Sequence, residues 1–347
     1  MRAIHLTAAL GLLCPALAAA PTALGPGSNL VLARQEPLDP ATYDDACNIG
    51  YCSVNGATLG GWGGNYTTVT TLEEFTAAVS DPEPAVVLVK GALSGNVRVS
   101  VSSSKSVLGL PGSSDREPSA LSGIGLYVKG SGGIILRNLK ISKVLAAHGA
   151  AITIESSRSI WVDHCDLSSD LAQAKGFYGA LVSISHGSDY ITVTNNLFHD
   201  HADAVSIGHS DTNAAEDQGK FHVTMARNYF KNVSSAISYR FGVGHIFSSY
   251  YEKVESGINT RMGADLLVES DVFEGSGKAI FSAESSAAGF ASVKDVALGG
   301  GSNTAPAGTL TTDSLPYPYE WYVWGTELVK KGAVSQAGQA LEFMTFD

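Results

Sequence analysis

Positive charge is scarce in this chain. Its 22 Lys and Arg stand against 33 Asp and Glu, a formal net charge of −11, so it lacks the basic patches that neutralise phosphates and is not expected to bind nucleic acid. The same deficit limits how it can hold any polyanion, which an acidic protein takes only through a local basic patch or bridging cations. Long apolar runs are also rare. Beyond the N-terminus no stretch reaches the roughly 18 consecutive apolar residues of a membrane span, so no membrane partner is expected. Cysteine is sparse, with four in 347 residues. Once Cys14 leaves with an N-terminal leader, Cys47, Cys52 and Cys165 allow one disulfide and one thiol. Cys47 with Cys52 is the expected bridge, and Cys165, in a strand-like segment, is expected as a buried small hydrophobe.

What is present begins with an export signal. Arg2, an apolar run from Leu6 to Ala20 and the small residues Ala18, Ala19 and Ala20 have the layout of a secretory signal peptide over residues 1–20. A secreted, extracellular protein is expected, with 21–41 as a leader or propeptide and 42–347 as one elongated domain. The sequons at Asn65 and Asn232 are candidate glycosylation sites in a eukaryotic host. Thr71-Leu72-Glu73-Glu74 reads as a capping box, and Leu72, Phe75 and Val79 then share one face of a short helix ending near Asp81. Such a helix would plug the open end of stacked strands.

From Val86 onward the pattern changes to short apolar strands broken by Gly, Ser and Asn. Six segments share a spelling: IILRNLKI, IWVDHCDL, ITVTNNLF, VTMARNYF, HIFSSYYE and LLVESDVF. Their spacing, roughly 21 to 32 residues, signals a solenoid. One unit cannot bury its apolar face alone, whereas stacked coils build a continuous core and pair every backbone edge. The pattern therefore predicts an all-β fold of stacked parallel coils, in which Asn195, Asn196 and Asn228 are turn residues stacked between coils. The aromatic group Tyr317, Tyr319, Trp321, Tyr322 and Trp324 is expected to cover its side or end.

Several segments carry a family resemblance: IWVDHCDLSSD, HGSDYITVTNNLFHDH, IGHSD, RFGVGH and GINTRMGA. Together they resemble fungal-type secreted pectate lyases of polysaccharide lyase family 1, over about Thr42 to Phe346. The resemblance implies a right-handed single-stranded parallel β-helix, a monomer, and a pectic polysaccharide or other cell-wall glycan as partner. It also implies cleavage of pectate by β-elimination. In that chemistry Ca²⁺ bridges protein carboxylates to the uronate, a Lys binds a substrate carboxylate and an Arg takes the α-proton. A glycoside hydrolase is not indicated, because neither a paired-Asp segment nor Gly-His-Gly is present.

Position by position the resemblance finds most of these charges replaced. The family's Gly-Asp-Ala-Ile corresponds to Gly149-Ala150-Ala151-Ile152, and its Tyr-Asp-Gly-Leu-Leu-Asp-Ile to Tyr178-Gly179-Ala180-Leu181-Val182-Ser183-Ile184. The three Ca²⁺ positions are therefore Ala150, Gly179 and Ser183, with no metal ligand retained and no cofactor expected. A loop that is acidic in the family reads Ala172-Gln173-Ala174-Lys175-Gly176, and the substrate-binding Lys is Asp203. The segment 232–242 is one residue shorter than the family pattern. The base Arg falls at Ala236 or in that gap, and Arg240 is the retained second Arg. Asp163, His164, His201 and Asp203 are expected at the cleft, the first two mainly as hydrogen-bonding links between coils. His199 and His201 have strand spacing without further ligands and are not expected to bind zinc. A substitute constellation of His148, His201, Asp203 and Arg240 would suit a neutral, methyl-esterified substrate. The expectation is a family member with weak or lost activity or, alternatively, a non-catalytic protein that binds a glycan or a protein partner.

Overall fold

The computed structural model describes residues 40–113 and 117–344. The expected signal peptide and nearly all of the expected leader fall outside them. Ala41, placed at the end of the leader by sequence, already belongs to the domain: it is buried and pairs with Phe343 in the C-terminal segment.

The chain forms a right-handed parallel β-helix. Every strand pairing between named strands is parallel, and neighbours in the sheets are corresponding segments of successive coils. One coil shows how. The strand Asp189–Thr194 is followed by a left-handed corner at Asn195, φ 53°. The strand Leu197–Ile207 then bends at Asp200, φ 49°, so one coil has three faces. The next coil repeats this with Tyr229–Arg240, whose first residues pair with Tyr250–Glu252 and whose last pair with Ser256–Arg261.

The spelled repeats map onto the first face and its corner. Ile134, Ile160, Ile191 and Val223 stand in register and are fully buried. A second inner column runs Ile152, Val182, Val205, Ile237, Ile258 and Ile280. The third is aromatic: the rings of Phe198, Phe230, Tyr251 and Phe273 stack at 4.8, 4.9 and 4.2 Å. Each buried side chain of this size stabilises the fold by about 1.5–3 kcal/mol. The segment HIFSSYYE departs from the spelling by one place. Gly244, not His245, lies opposite Val223, because the Tyr239 ring occupies the space a side chain would take there.

Left-handed corners recur at Asn138, His164, Asn195, Arg227, Ser248 and Ser270. The residue after each turns inward, and its backbone N–H donates to the side chain one coil on: Cys165 to Asn196 at 2.8 Å, Asn196 to Asn228 at 3.0 Å, Asn228 to Ser249 at 3.3 Å, Ser249 to Asp271 at 2.7 Å. This ladder satisfies buried backbone groups that the corners withdraw from the sheets.

Two of the three faces are covered. Cys47 and Cys52 are disulfide-bonded, and Cys165 is a buried free thiol. The bridged loop lies on the first face, with Tyr51 N–H donating to Thr224 Oγ1 and Cys52 N–H to Thr192 Oγ1. Beside it the Tyr319 hydroxyl meets Thr224 and His245, Trp321 donates to Glu269, and Arg227 lies over Tyr322 and Trp324. The C-terminal aromatics thus form a strap along the side. On the second face the helix Thr326–Gln336 packs Val329 and Ala333 against Tyr229, Tyr250 and Val272. At the N-terminal end the helix Leu72–Ser80 closes the core with Phe75 and Val79, its N-cap Thr71 and Glu74 forming the full capping box. Among the described residues no helix is long and apolar enough to cross a membrane.

Asp271 ends the corner ladder as an acid. Burial pushes its pKa up to about 8. A native pKa above the unfolded value means that the fold favours the protonated acid. That stabilisation is complete below about pH 4 and disappears as pH rises through about 8. Thermal melts of Asp271→Asn should therefore lack a decline in Tm that the parent chain shows over this interval. Parallel pH profiles for the two proteins would refute the assignment.

Candidate functional site

The third face is the open one. Its outward positions form columns set by strand register. The central column reads Tyr127, Thr153, Ser183, Ser206, Ser238 and Asn259. Two residues further along each strand stand Lys129 and Glu155 on early coils and Arg240 and Arg261, in register, on later ones. On the other side of the central column Asp203, Ser235, Ser256 and Lys278 form a third column.

The three positions matched to Ca²⁺ ligands come together here. Ser183 pairs with Thr153, whose hydroxyl accepts from Ala150 N–H at 3.1 Å. Gly179 lies against the Gly149–Ala150 backbone so closely that a Cβ would fall 1.8 Å from Gly149 O. Leu181 N–H contacts Asp203 O at 3.3 Å, which brings Asp203 alongside. These residues do not fit Ca²⁺. They supply one hydroxyl and no carboxylate where the ion takes six to eight oxygens, and the backbone fills the space that a ligand side chain at 179 would need. The Asp203 carboxylate alongside pairs with Lys175 at 3.0 Å. Among the described residues no three His, Cys, Asp or Glu side chains are grouped to hold a metal.

His201 joins this cluster as a buried residue beside the Ser169 hydroxyl, and burial holds its pKa below the usual histidine value. His199 is separate. Its two ring nitrogens meet Asp166 at 2.9 Å and Asp200 at 2.8 Å, and those carboxylates raise its pKa, Asp166 most. Arg240 donates through Nε to Asp211 at 2.6 Å and through Nη1 to Gly208 O at 3.1 Å. Asp211 also accepts from Ser285 and from the Ser286 backbone, and its pKa is lowered, chiefly by Arg240. Arg261 is 8% exposed and reaches Glu284 at 3.0 Å. Burial and then Arg240 make its charge harder to hold than usual. His148 ends a short turn, Ala146–His148, just before Ala150.

Two expectations are corrected. Asp163 and His164 do not reach the open face. Asp163 pairs in register with Thr194, nine residues before Asp203, at the corner beneath the N-terminal arm. It is fully buried and accepts from Arg137 Nε, Thr194 and Asn195. Arg137 continues the contact to Asp45 of the arm. The resemblance set Asp163 and His164 near the cleft but gave them mainly the role of hydrogen-bonding links between coils, and Asp163 has that role, joining Thr194 and Asn195 on one side and Arg137 on the other. Ala236 is likewise not a cleft position. It is fully buried in the core, and its neighbour Ser235 faces outward beside Asp203. Alternation is interrupted here: Ala236 and the adjacent Ile237 are both buried in the core, as are Ala204 and Val205 on the preceding coil. Sequence reasoning missed Arg261, Asp211 and the partnership of Lys175 with Asp203. Only the alternation of the GINTRMGA strand hinted at Arg261.

The architecture is that of an extended parallel β-helix with one uncovered face bearing charged and hydroxyl side chains. The pectate lyase family profile matches residues 27–341. The chain is 47% identical over 306 residues to pectate lyase B of Colletotrichum gloeosporioides, covering 87% of this chain and 88% of that one. To pectate lyase A of Aspergillus niger it is 44% identical over 340 residues, covering 97% and 98%. Among solved structures, a pectate lyase from Bacillus sp. N165 in complex with trigalacturonate aligns with a TM-score of 0.73 at 24% identity, over 84% of this chain and 98% of that one. The chain belongs to the pectate lyase family.

The packing at this face has direct consequences for stability. Gly179→Ala should destabilise the fold by about 1–3 kcal/mol in urea titrations, since the added methyl meets backbone. Ala236→Arg should cost more than about 2 kcal/mol, whereas Ser235→Arg should stay within about 0.5 kcal/mol. Equal effects at 235 and 236 would reverse the inside and outside assignment.

Proposed function

We propose that this protein is exported, that it engages pectic polysaccharide along its open face, and that its β-elimination activity is weak or lost. Export rests on the N-terminal leader. Asn65 and Asn232 are both exposed and open to glycosylation on that route. The ligand class rests on family membership and on the open face itself. The observation that carries the loss of activity is the trio Ala150, Gly179 and Ser183, brought together without a carboxylate and with Gly149 O blocking a side chain at 179. Without a cation to neutralise the uronate carboxylate, its α-proton stays weakly acidic, and no arginine stands at the outward position 235 to remove it.

Retained catalysis is the competing reading, favoured by 47% and 44% identity to proteins named pectate lyases. Both readings meet in one assay. Purified protein on polygalacturonate and on methylated pectin, with Ca²⁺ or chelator, is followed by the ultraviolet absorbance of the unsaturated product. A flat trace beside an active family member is expected. Sustained product formation would overturn the loss of activity. Ala150→Asp alone should leave the trace flat, because metal, lysine and arginine act as a unit; robust turnover in that variant would refute the multiple-loss argument.

A further inference from the structure

We infer that the open face is built for an uncharged pectic chain, with its galacturonate carboxylates esterified, rather than for free polygalacturonate. This rests on the reading that the face takes a pectic chain at all.

The first observation is how its charges are disposed. Four cations of the face are already matched by a carboxylate: Lys129 by Glu155 at 3.4 Å, Lys175 by Asp203 at 3.0 Å, Arg240 by Asp211 at 2.6 Å and Arg261 by Glu284 at 3.0 Å. Toward the two ends Arg98 and Lys278 lie over the rings of Tyr127 and Phe281 at 4.4 and 5.4 Å. A polyuronate brings a negative charge with every sugar. Along the central coils each charge would have to break an existing ion pair or lie beside a carboxylate, costing about 1 kcal/mol per contact near 4 Å in water and more where water is displaced.

The second observation is a row of donors suited to a neutral ligand. Ser183, Ser206 and Ser238 stand in register on three successive coils, and their hydroxyls engage no protein partner among the described residues. Adjacent strands lie about 4.8 Å apart, so the row spans about the length of a disaccharide. Beyond it Arg261, 8% exposed, leaves its Nε without a partner. That donor is two residues past Asn259 on the same side of the strand and matches an ester carbonyl or a sugar hydroxyl. Left unpaired and buried, it carries a desolvation cost that a ligand acceptor would relieve.

The third observation is apolar. In the loop leading to Gly179, Leu171 is 45% and Phe177 47% exposed. At the margin of a carbohydrate face they offer contact to ester methyl groups, which a free uronate lacks.

The test is a calorimetric titration of the mature protein, in chelator, with a fully methyl-esterified oligogalacturonide and with the same oligomer after saponification. The ester should bind at least about tenfold tighter, with an affinity indifferent to salt. A smaller preference, or preference for the saponified oligomer, overturns the inference while leaving the pectic reading intact. Binding of neither overturns both. The triple variant Ser183→Ala, Ser206→Ala, Ser238→Ala should lose about tenfold for the ester, with an unchanged melting temperature because these hydroxyls hold nothing in the fold. Phe177→Ser, on an exposed loop, should lose about threefold. Undiminished ester binding by both variants would show that the ligand lies elsewhere.

Discussion

Parallel stacking of coils is the constraint on which the rest of this molecule depends. No coil has an interior of its own. Each buries its apolar side chains only by lying on the next, at the spacing set by backbone hydrogen bonds between parallel strands. Every position therefore belongs to a column that runs along the axis, and the column decides whether a side chain faces the core, a corner or solvent. Isoleucine and valine columns, the phenylalanine and tyrosine stack and the corner ladder from Cys165 to Asp271 are repeated answers to one requirement, that like positions must pack on like.

The site follows from that geometry by exclusion. A disulfide-bridged arm and an aromatic strap cover one face and a C-terminal helix another, so ligand access remains along the third. There the columns bring together Ala150, Gly179, Ser183, Asp203 and Ser235 from four sections of sequence. The positions that the resemblance matches to Ca²⁺ ligands thus lie together in space and carry no carboxylate. The Gly179 backbone also lies close against Gly149, which leaves no room there for a side chain.

Much of the fold was legible because its signals are local or periodic. Thr71 and Glu74 announce the end helix through a capping box completed within four residues. The repeated spelling announces the coils, and Asn196 and Asn228 their corners. The candidate site was legible in part. Resemblance located Ala150, Gly179, Ser183 and Asp203, which share the open face. It misplaced Asp163 and His164, since a polar pair at a buried corner and one in a cleft are spelled alike until the register is known. It put the base position at Ala236 or in the adjoining gap, and Ala236 lies buried in the core.

Taken alone, the sequence determined that the chain must stack and that Asn195, Asn196 and Asn228 lie at its turns. Those properties reside in the period and identity of residues along the chain. The tertiary structure alone decided which face stays open, that Lys175 neutralises Asp203, that Arg240 and Arg261 stand side by side with Asp211 and Glu284 as their partners, and that three serine hydroxyls without a partner among the described residues fall in one row. These relations join residues of different coils, each partner some 21 to 32 positions from the next along the chain. Only hydrogen-bonded register brings such positions together, and the local pattern of neither partner encodes it.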